Sequence, residues 1–214
     1  MRRDRLSPWL IAVLLLALWG GWSWWHMRPL HPGPGELAPD DPVQTALDTP
    51  MEPIHFGDFT LTPRAKFDLV ARVLSTEHYR FDAGAALVPE DFAFGWGRMS
   101  DSAILKDIDI SQSGRFYYWS VRQFPIPRRE IETHSANMHL IPADVGVRRA
   151  LGRIRVGQVV ALDGFLVDAD RAGGWHWRTS MTRDDTGDGA CELFYVTTVD
   201  SPVDQTDPAP PSSE

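Results

Sequence analysis

The stretch from Val147 to Val199 constrains the fold most, because its apolar residues alternate in three segments parted by loops of Gly and Asp. Gln158–Val167, Trp175–Thr182 and Cys191–Val199 each put one set of alternate residues on an apolar face, the mark of a half-buried strand. In the second segment Trp175, Trp177, Thr179 and Met181 share a face, and His176, Arg178, Ser180 and Thr182 take the other. In the third, Cys191, Leu193, Tyr195, Thr197 and Val199 fall together. Gly164 marks a bulge or sharp bend. The loops suit an antiparallel meander. Ahead of it, Val147, Ala150, Leu151 and Ile154 repeat as one helical face, with Asp144 placed as N-cap.

Earlier segments point the same way. Phe67–Leu74 alternates as a strand, although Phe67, Val70, Ala71 and Leu74 also fit a helical face. Arg115–Val121 is a second strand, with Tyr117, Trp119 and Val121 opposite Phe116 and Tyr118. Pro89, Glu90 and Asp91 suit the first turn of a short helix, and Ser100 or Ser102 the cap of another over 103–108. The expected fold is mainly β or α+β. It is a small antiparallel barrel-like domain, OB-like in the pattern GQVVALDGFLV, with one or two short helices and a transmembrane helix in front.

That leading helix is expected over residues 8–27. Residues 8–25 carry no charge and would span roughly 27 Å as a helix, near the bilayer hydrocarbon thickness of about 30 Å. Arg2, Arg3 and Arg5 in residues 1–7 would hold the N-terminus in the cytoplasm, and Trp19, Trp22, Trp24 and Trp25 crowd the far end as an interfacial belt. No small-residue cleavage site follows the run, so an uncleaved anchor is expected rather than a signal peptide. Residues 28–51 hold six prolines and read as a free tether with a reach of about 25 Å. Residues 52–200 form the domain, and 201–214 a disordered tail. These features place the chain in a bacterial inner membrane, single-pass, with the domain in the periplasm. The partners implied are the bilayer, through residues 8–27, and a protein or envelope component.

The formal net charge is -8, and residues 1–28 carry four arginines against one aspartate, which leaves the remainder at -11. So acidic a domain repels phosphate backbones, and nucleic acid is excluded as a partner. One cysteine makes no intrachain disulfide.

FGWGRMSD, DISQSGRFYYW, HSANMHLIPA and DTGDGACE resemble segments of an uncharacterised family of bacterial membrane-anchored proteins. The resemblance implies one extracytoplasmic domain and brings no activity or site with it.

Candidate chemistry is sparse. Cys191 with His139 or His134 would make a nucleophile and base, and in outline the chain is similar to sortase transpeptidases. However, TGDGAC replaces the T-L-x-T-C pattern, and no arginine follows Cys191. Asp184 and Asp188 offer oxygen ligands, but an EF-hand count from Asp184 puts Tyr195 where the bidentate glutamate belongs. The run suits a solvated turn better. The spacing of His134 and His139 matches no zinc motif. No cofactor is implied. The aromatic residues mostly read as core. The face carrying His176 and Arg178, beside Trp119, is the expected binding surface. A non-enzymatic binding or assembly module is therefore the reading favoured, with a Cys–His thiol hydrolase or transpeptidase as the alternative.

Overall fold

The computed structural model describes residues 8–26, 28–182 and 190–200. In chain order its elements are helix α1 (Pro8–His26) and strands β1 (Val43–Ala46), β2 (Ile54–Phe56), β3 (Phe59–His78) and β4 (Glu90–Gly95). Helix α2 (Ser102–Leu105), strands β5 (Ile108–Ser113) and β6 (Phe116–Val121), and helix α3 (Arg128–Thr133) follow. Strand β7 (Ser135–Pro142), helix α4 (Val145–Leu151) and strands β8 (Val159–Arg171), β9 (Trp175–Trp177) and β10 (Glu192–Asp200) complete them. The protein is mainly β with a few short helices and mixed sheets.

The large sheet runs in the order β1-β3-β4-β7-β10-β8-β9, and β3 also pairs with β8. Five strands thus curl into a ring that is not evenly closed. The long strand β3 makes this possible. It pairs with β8 from Phe59 to Arg72 and with β4 from Arg72 to His78. Its register shifts between Pro63 and Ala65 and again between Val73 and Ser75. Bulges bend a strand, and a bulge is where a sheet tolerates a proline. The bend beside Gly164 also materialises. The register of β10 against β8 shifts between Val196 and Thr198, opposite Gly164. A Cβ on Gly164 would sit 2.0 Å from the Tyr195 carbonyl oxygen, so only glycine admits that backbone.

Inside the ring lies a dry core of Phe67, Phe92, Phe94, Trp96, Met138, Leu140 and Phe194. Helix α4 closes one end through Val147 and Leu151, with Ile154 just beyond it. The Asp144 carboxylate caps α4 by accepting from the Val147 N–H at 2.8 Å. The hairpin β5–β6 packs outside the ring with Tyr117, Trp119 and Val121 inward.

Several expectations need correction. The expected meander is only partial, because β10 runs antiparallel to β8 but parallel to β7, a non-local pairing that no loop announces. Pro89–Asp91 does not start a helix, since Glu90 opens β4, where both faces are buried. Asp101, not Ser100 or Ser102, caps α2. The segment 178–182 is not strand; only Trp175–Trp177 pairs with β8. Among the described residues no helix is long and apolar enough to cross a membrane.

The proline-rich segment is not a free tether but a strap fastened to the domain. Leu30 donates to the Val156 carbonyl at 2.8 Å. Gly35 donates to Asp101 Oδ1 at 2.8 Å, and Leu37 and Ala38 both donate to Ser100 Oγ. Ser102 Oγ donates to the Pro32 carbonyl, Ala38 is buried, and β1 pairs with β3. Proline lacks freedom to lose, so ordering such a strap costs less backbone entropy than ordering an average segment. Ser100, read from the sequence as a helix cap, secures the strap instead. The tail 201–214 lies outside the described residues.

Candidate functional site

The strands β4 and β7 carry two chemistries, one on each face. Their register sets Asp91 against His139 and Ala93 against Asn137. Alternation then sends Phe92, Phe94, Met138 and Leu140 into the core and Asp91, Asn137 and His139 to the outside of the ring. That outer face is covered rather than wet. Asp91 is 0% exposed and His139 3%.

The cover comes from the hairpin β5–β6. Its turn is two residues long, with Ser113 paired to Phe116. Gly114 has φ 59° and Arg115 φ 70°, the latter the sole positive-φ non-glycine among the described residues. Two left-handed positions make the mirror-image turn that fits strand twist, and Asn or Gly normally fills the second. An arginine there is strained by about 1–3 kcal/mol, so its surroundings must hold it. They do. Arg115 Nη1 donates to Asp91 Oδ1 at 3.1 Å. Its Nη2 donates to both Asp82 oxygens at 2.9 Å and to the Val88 carbonyl at 3.0 Å. Its amide donates to Tyr79 Oη, and its carbonyl accepts from Asn137 Nδ2. The guanidinium carbon lies 3.9 Å from the Tyr79 ring centroid and 5.4 Å from that of Trp177.

Arg115 therefore links a buried floor to an open cleft. In the floor, Asp91 Oδ1 also lies 2.9 Å from His139 Nδ1. That contact is short but poorly aligned, for His139 Nδ1 and Asp91 Oδ2 each make no hydrogen bond. Gln112 Nε2 donates to Asn137 Oδ1 at 2.6 Å. The Trp177 ring roofs His139 at a centroid distance of 4.5 Å.

The cleft above has a volume of about 690 Å³ and is lined by Tyr79, Phe81, Asp82, Arg115, Trp175 and Trp177 among others. It lies between the 79–84 loop after β3, the hairpin tip and β9. Trp175 and Trp177 stand 6.2 Å apart at 82°, so one presents a face and the other an edge. Trp175 is backed by Phe59 at 5.3 Å. Gly84 lets the loop approach, because a Cβ there would meet the Trp177 ring at 3.1 Å. Phe81 stands at the rim, 98% exposed. Burial pushes the Tyr79 hydroxyl up to about 12, with the Asp91 charge adding to it. Burial works against ionisation of Asp82, but Arg115 and the Gly84 N–H outweigh it and hold its carboxyl below the usual range. Arg115 is paired with both Asp82 and Asp91, so the cleft floor presents no unpaired guanidinium.

The residues singled out by sequence scatter around this site. His176 lines the cleft. Arg178 pairs with Asp170 at 2.6 Å. Trp119 does not join them; it packs on Phe124 at 6.2 Å, beneath Arg128. His134 and His139 do not converge. His134 closes α3 by donating its backbone N–H to the Glu130 carbonyl, with Nδ1 3.2 Å from the same oxygen, and its Nε2 lies 3.8 Å from Asp41. Cys191 is half-buried and receives a weak 3.9 Å contact from Asn137 Nδ2. The register sets Leu193 against His139, so Cys191, Asn137 and His139 share a face. Asp184 and Asp188 lie outside the described residues. Among the described residues, no three His, Cys, Asp or Glu side chains are grouped to hold a metal ion. Sequence reading missed Tyr79, Asp82, Asp91 and Arg115. The one available signal was the SGR step inside DISQSGRFYYW, a turn between two alternating runs.

Glu90, one residue before Asp91, faces the other way. Burial pushes its carboxyl up to about 7, opposed by the Arg148 charge, and His78 Nδ1 lies 3.7 Å away.

No protein-family model, no curated protein and no solved structure matches this chain.

Proposed function

We propose that the chain is a membrane-anchored binding module, acting outside the cytoplasm, whose cleft holds a protein or envelope component. The observation that carries this reading is the strained Arg115, held at the base of an aromatic cleft by two carboxylates, a carbonyl and two rings. Strain kept at a concave site is a pointer to function. The pairing order supports an OB-like description of the ring, with one parallel pair, β7 with β10, and a helix between β7 and β8. In OB barrels ligands lie on the face of the second and third strands, between the loop joining the first two strands and the loop joining the fourth and fifth. Here residues 79–84 of the first such loop and Trp175–Trp177 of the second border the cleft.

The reading of α1 as anchor draws on its sequence and its exposure. Trp9, Leu16, Leu18 and Trp19 are all highly exposed, and so many uncovered apolar side chains need an apolar phase. The three arginines at the N-terminus favour the cytoplasmic side for that end.

The test is site-specific photo-crosslinking in intact membranes. A crosslinker at Phe81 should give a discrete adduct, and one at exposed Val70, on the body of β3, should not. Turnover of an envelope substrate with no specific adduct would reject the reading. The thiol-enzyme alternative draws on the shared face of Cys191, Asn137 and His139. A Cys191 thiol that resists small alkylating reagents in the folded chain ends it.

A further inference from the structure

A second surface stands apart from the cleft, and its charge runs against that of the domain. Residues 145–157 read VGVRRALGRIRVG, with four arginines and no acid, in a chain whose remainder beyond residue 28 is strongly acidic. Arg148, Arg149 and Arg153 are exposed and Arg155 is half-buried. None of the four forms an ion pair with a described residue. Two basic residues in the last turn of α4 would complement its dipole, but Arg153 and Arg155 lie beyond the helix and gain nothing there. Exposed Val145 sits on the same element. Among the described residues, the carboxylates of Asp144 and Glu90 lie at or beside α4. Asp144 is committed to the cap at the other end of α4, and Glu90 is buried with its carboxyl held toward the neutral form.

The strap gives this patch its location. Leu30 is bonded to Val156, immediately after Arg155, and α1 ends at His26. Four residues of chain reach at most about 14 Å. A Cβ on Gly157 would lie 2.1 Å from the Leu30 carbonyl oxygen, so the strap is seated closely there. The domain therefore cannot move far from the end of α1, and the fixed point of its leash lies among the arginines.

We propose that Arg148, Arg149, Arg153 and Arg155 form a shelf that binds anionic lipid headgroups of the bilayer holding α1. The inference rests on the reading of α1 as a membrane anchor. Guanidinium forks match phosphate oxygens, and a basic residue near an anionic membrane strengthens attachment roughly fivefold. The shelf would fix which side of the domain faces the lipid, and so where the cleft opens.

The test uses the full chain with Cys191→Ser and a spin label on Val145→Cys. It is reconstituted with vesicles of phosphatidylcholine alone or mixed with phosphatidylglycerol. Flotation reports anchoring, and accessibility of the label to an aqueous relaxation agent reports the shelf. The expected result is flotation with both vesicles and a several-fold drop in accessibility only with phosphatidylglycerol. High salt or Arg148→Glu/Arg149→Glu/Arg153→Glu should reverse the drop. The milder Arg153→Gln should reverse it in part, and covers the case of a misfolded triple variant. Flotation with both vesicles and equal accessibility would overturn the shelf and leave the anchor standing. Flotation only with phosphatidylglycerol would overturn the anchor, and with it the shelf as a partner of the bilayer holding α1. Flotation with neither overturns both.

Discussion

The two faces of β4 and β7 differ by one residue of register and by nearly everything else. On the inside, Phe92, Phe94, Met138 and Leu140 make a dry core. On the outside, Asp91, Asn137 and His139 are just as buried but polar, covered by Arg115, Gln112 and Trp177. The dry face is sufficient to specify the ring. The polar face adds desolvated charge, which rarely improves stability over an apolar packing of the same shape. Its position beside a cleft is the reason to propose function there.

The comparison can be broken in order of expected effect. Phe94→Ala strikes the dry face and should cost about 3–5 kcal/mol through lost burial and a cavity, read from denaturant unfolding. Asp91→Ala strikes the polar face and strands the Arg115 charge. Removing one partner of a buried pair costs about 3–5 kcal/mol. Because Asp82 still holds Arg115, the loss should fall below that of Phe94→Ala. An equal or larger loss would mean that the polar face is structural first.

Glu90 sharpens the contrast through pH. Its folded-state pKa is raised to about 7 from an ordinary 4.5 by burial. The folded chain thus binds more protons than the unfolded chain between those values. The contribution is fully present below about 4.5 and is lost as pH rises through about 7. Glu90→Gln should therefore flatten the fall in Tm over that window and raise Tm at pH 8. An unchanged slope would show that Glu90 is solvated in the folded chain. Arg115→Asn is smaller in its effect on stability, since relief of about 1–3 kcal/mol of backbone strain offsets part of the lost hydrogen bonding. Because buried Asp91 also loses its guanidinium, this substitution should lower the unfolding midpoint by less than Asp91→Ala does and still abolish the crosslink from Phe81.

Other parts of the fold were more legible in the sequence than this dry face. Alternation located β6, β8 and β10, and Asp144 with the Val147–Leu151 spacing located α4. β4 was not, because EDFAFG buries both faces and its leading acids imitate a helix start. The parallel β7–β10 pair was not, because pairing between distant segments leaves no local mark. The polar face was half legible. His139 and Cys191 stood out as residue types, but Asp91 joins His139 only through strand register, and Arg115 joins both only through the hairpin turn. The strap was misread because prolines block helix and ladder alike, while Ser100 and Asp101 supply acceptors from far along the chain.

Trp177 separates the two roles most directly, since it roofs the polar floor and forms a cleft wall at once. The decisive measurement is the Phe81 photo-crosslink in membranes, made on the chain with and without Trp177→Ala, with the unfolding midpoint of each recorded. The account predicts a discrete adduct that disappears in the variant while cooperative unfolding is retained. An adduct that persists in a folded Trp177→Ala chain would contradict the assignment of the cleft as the binding site.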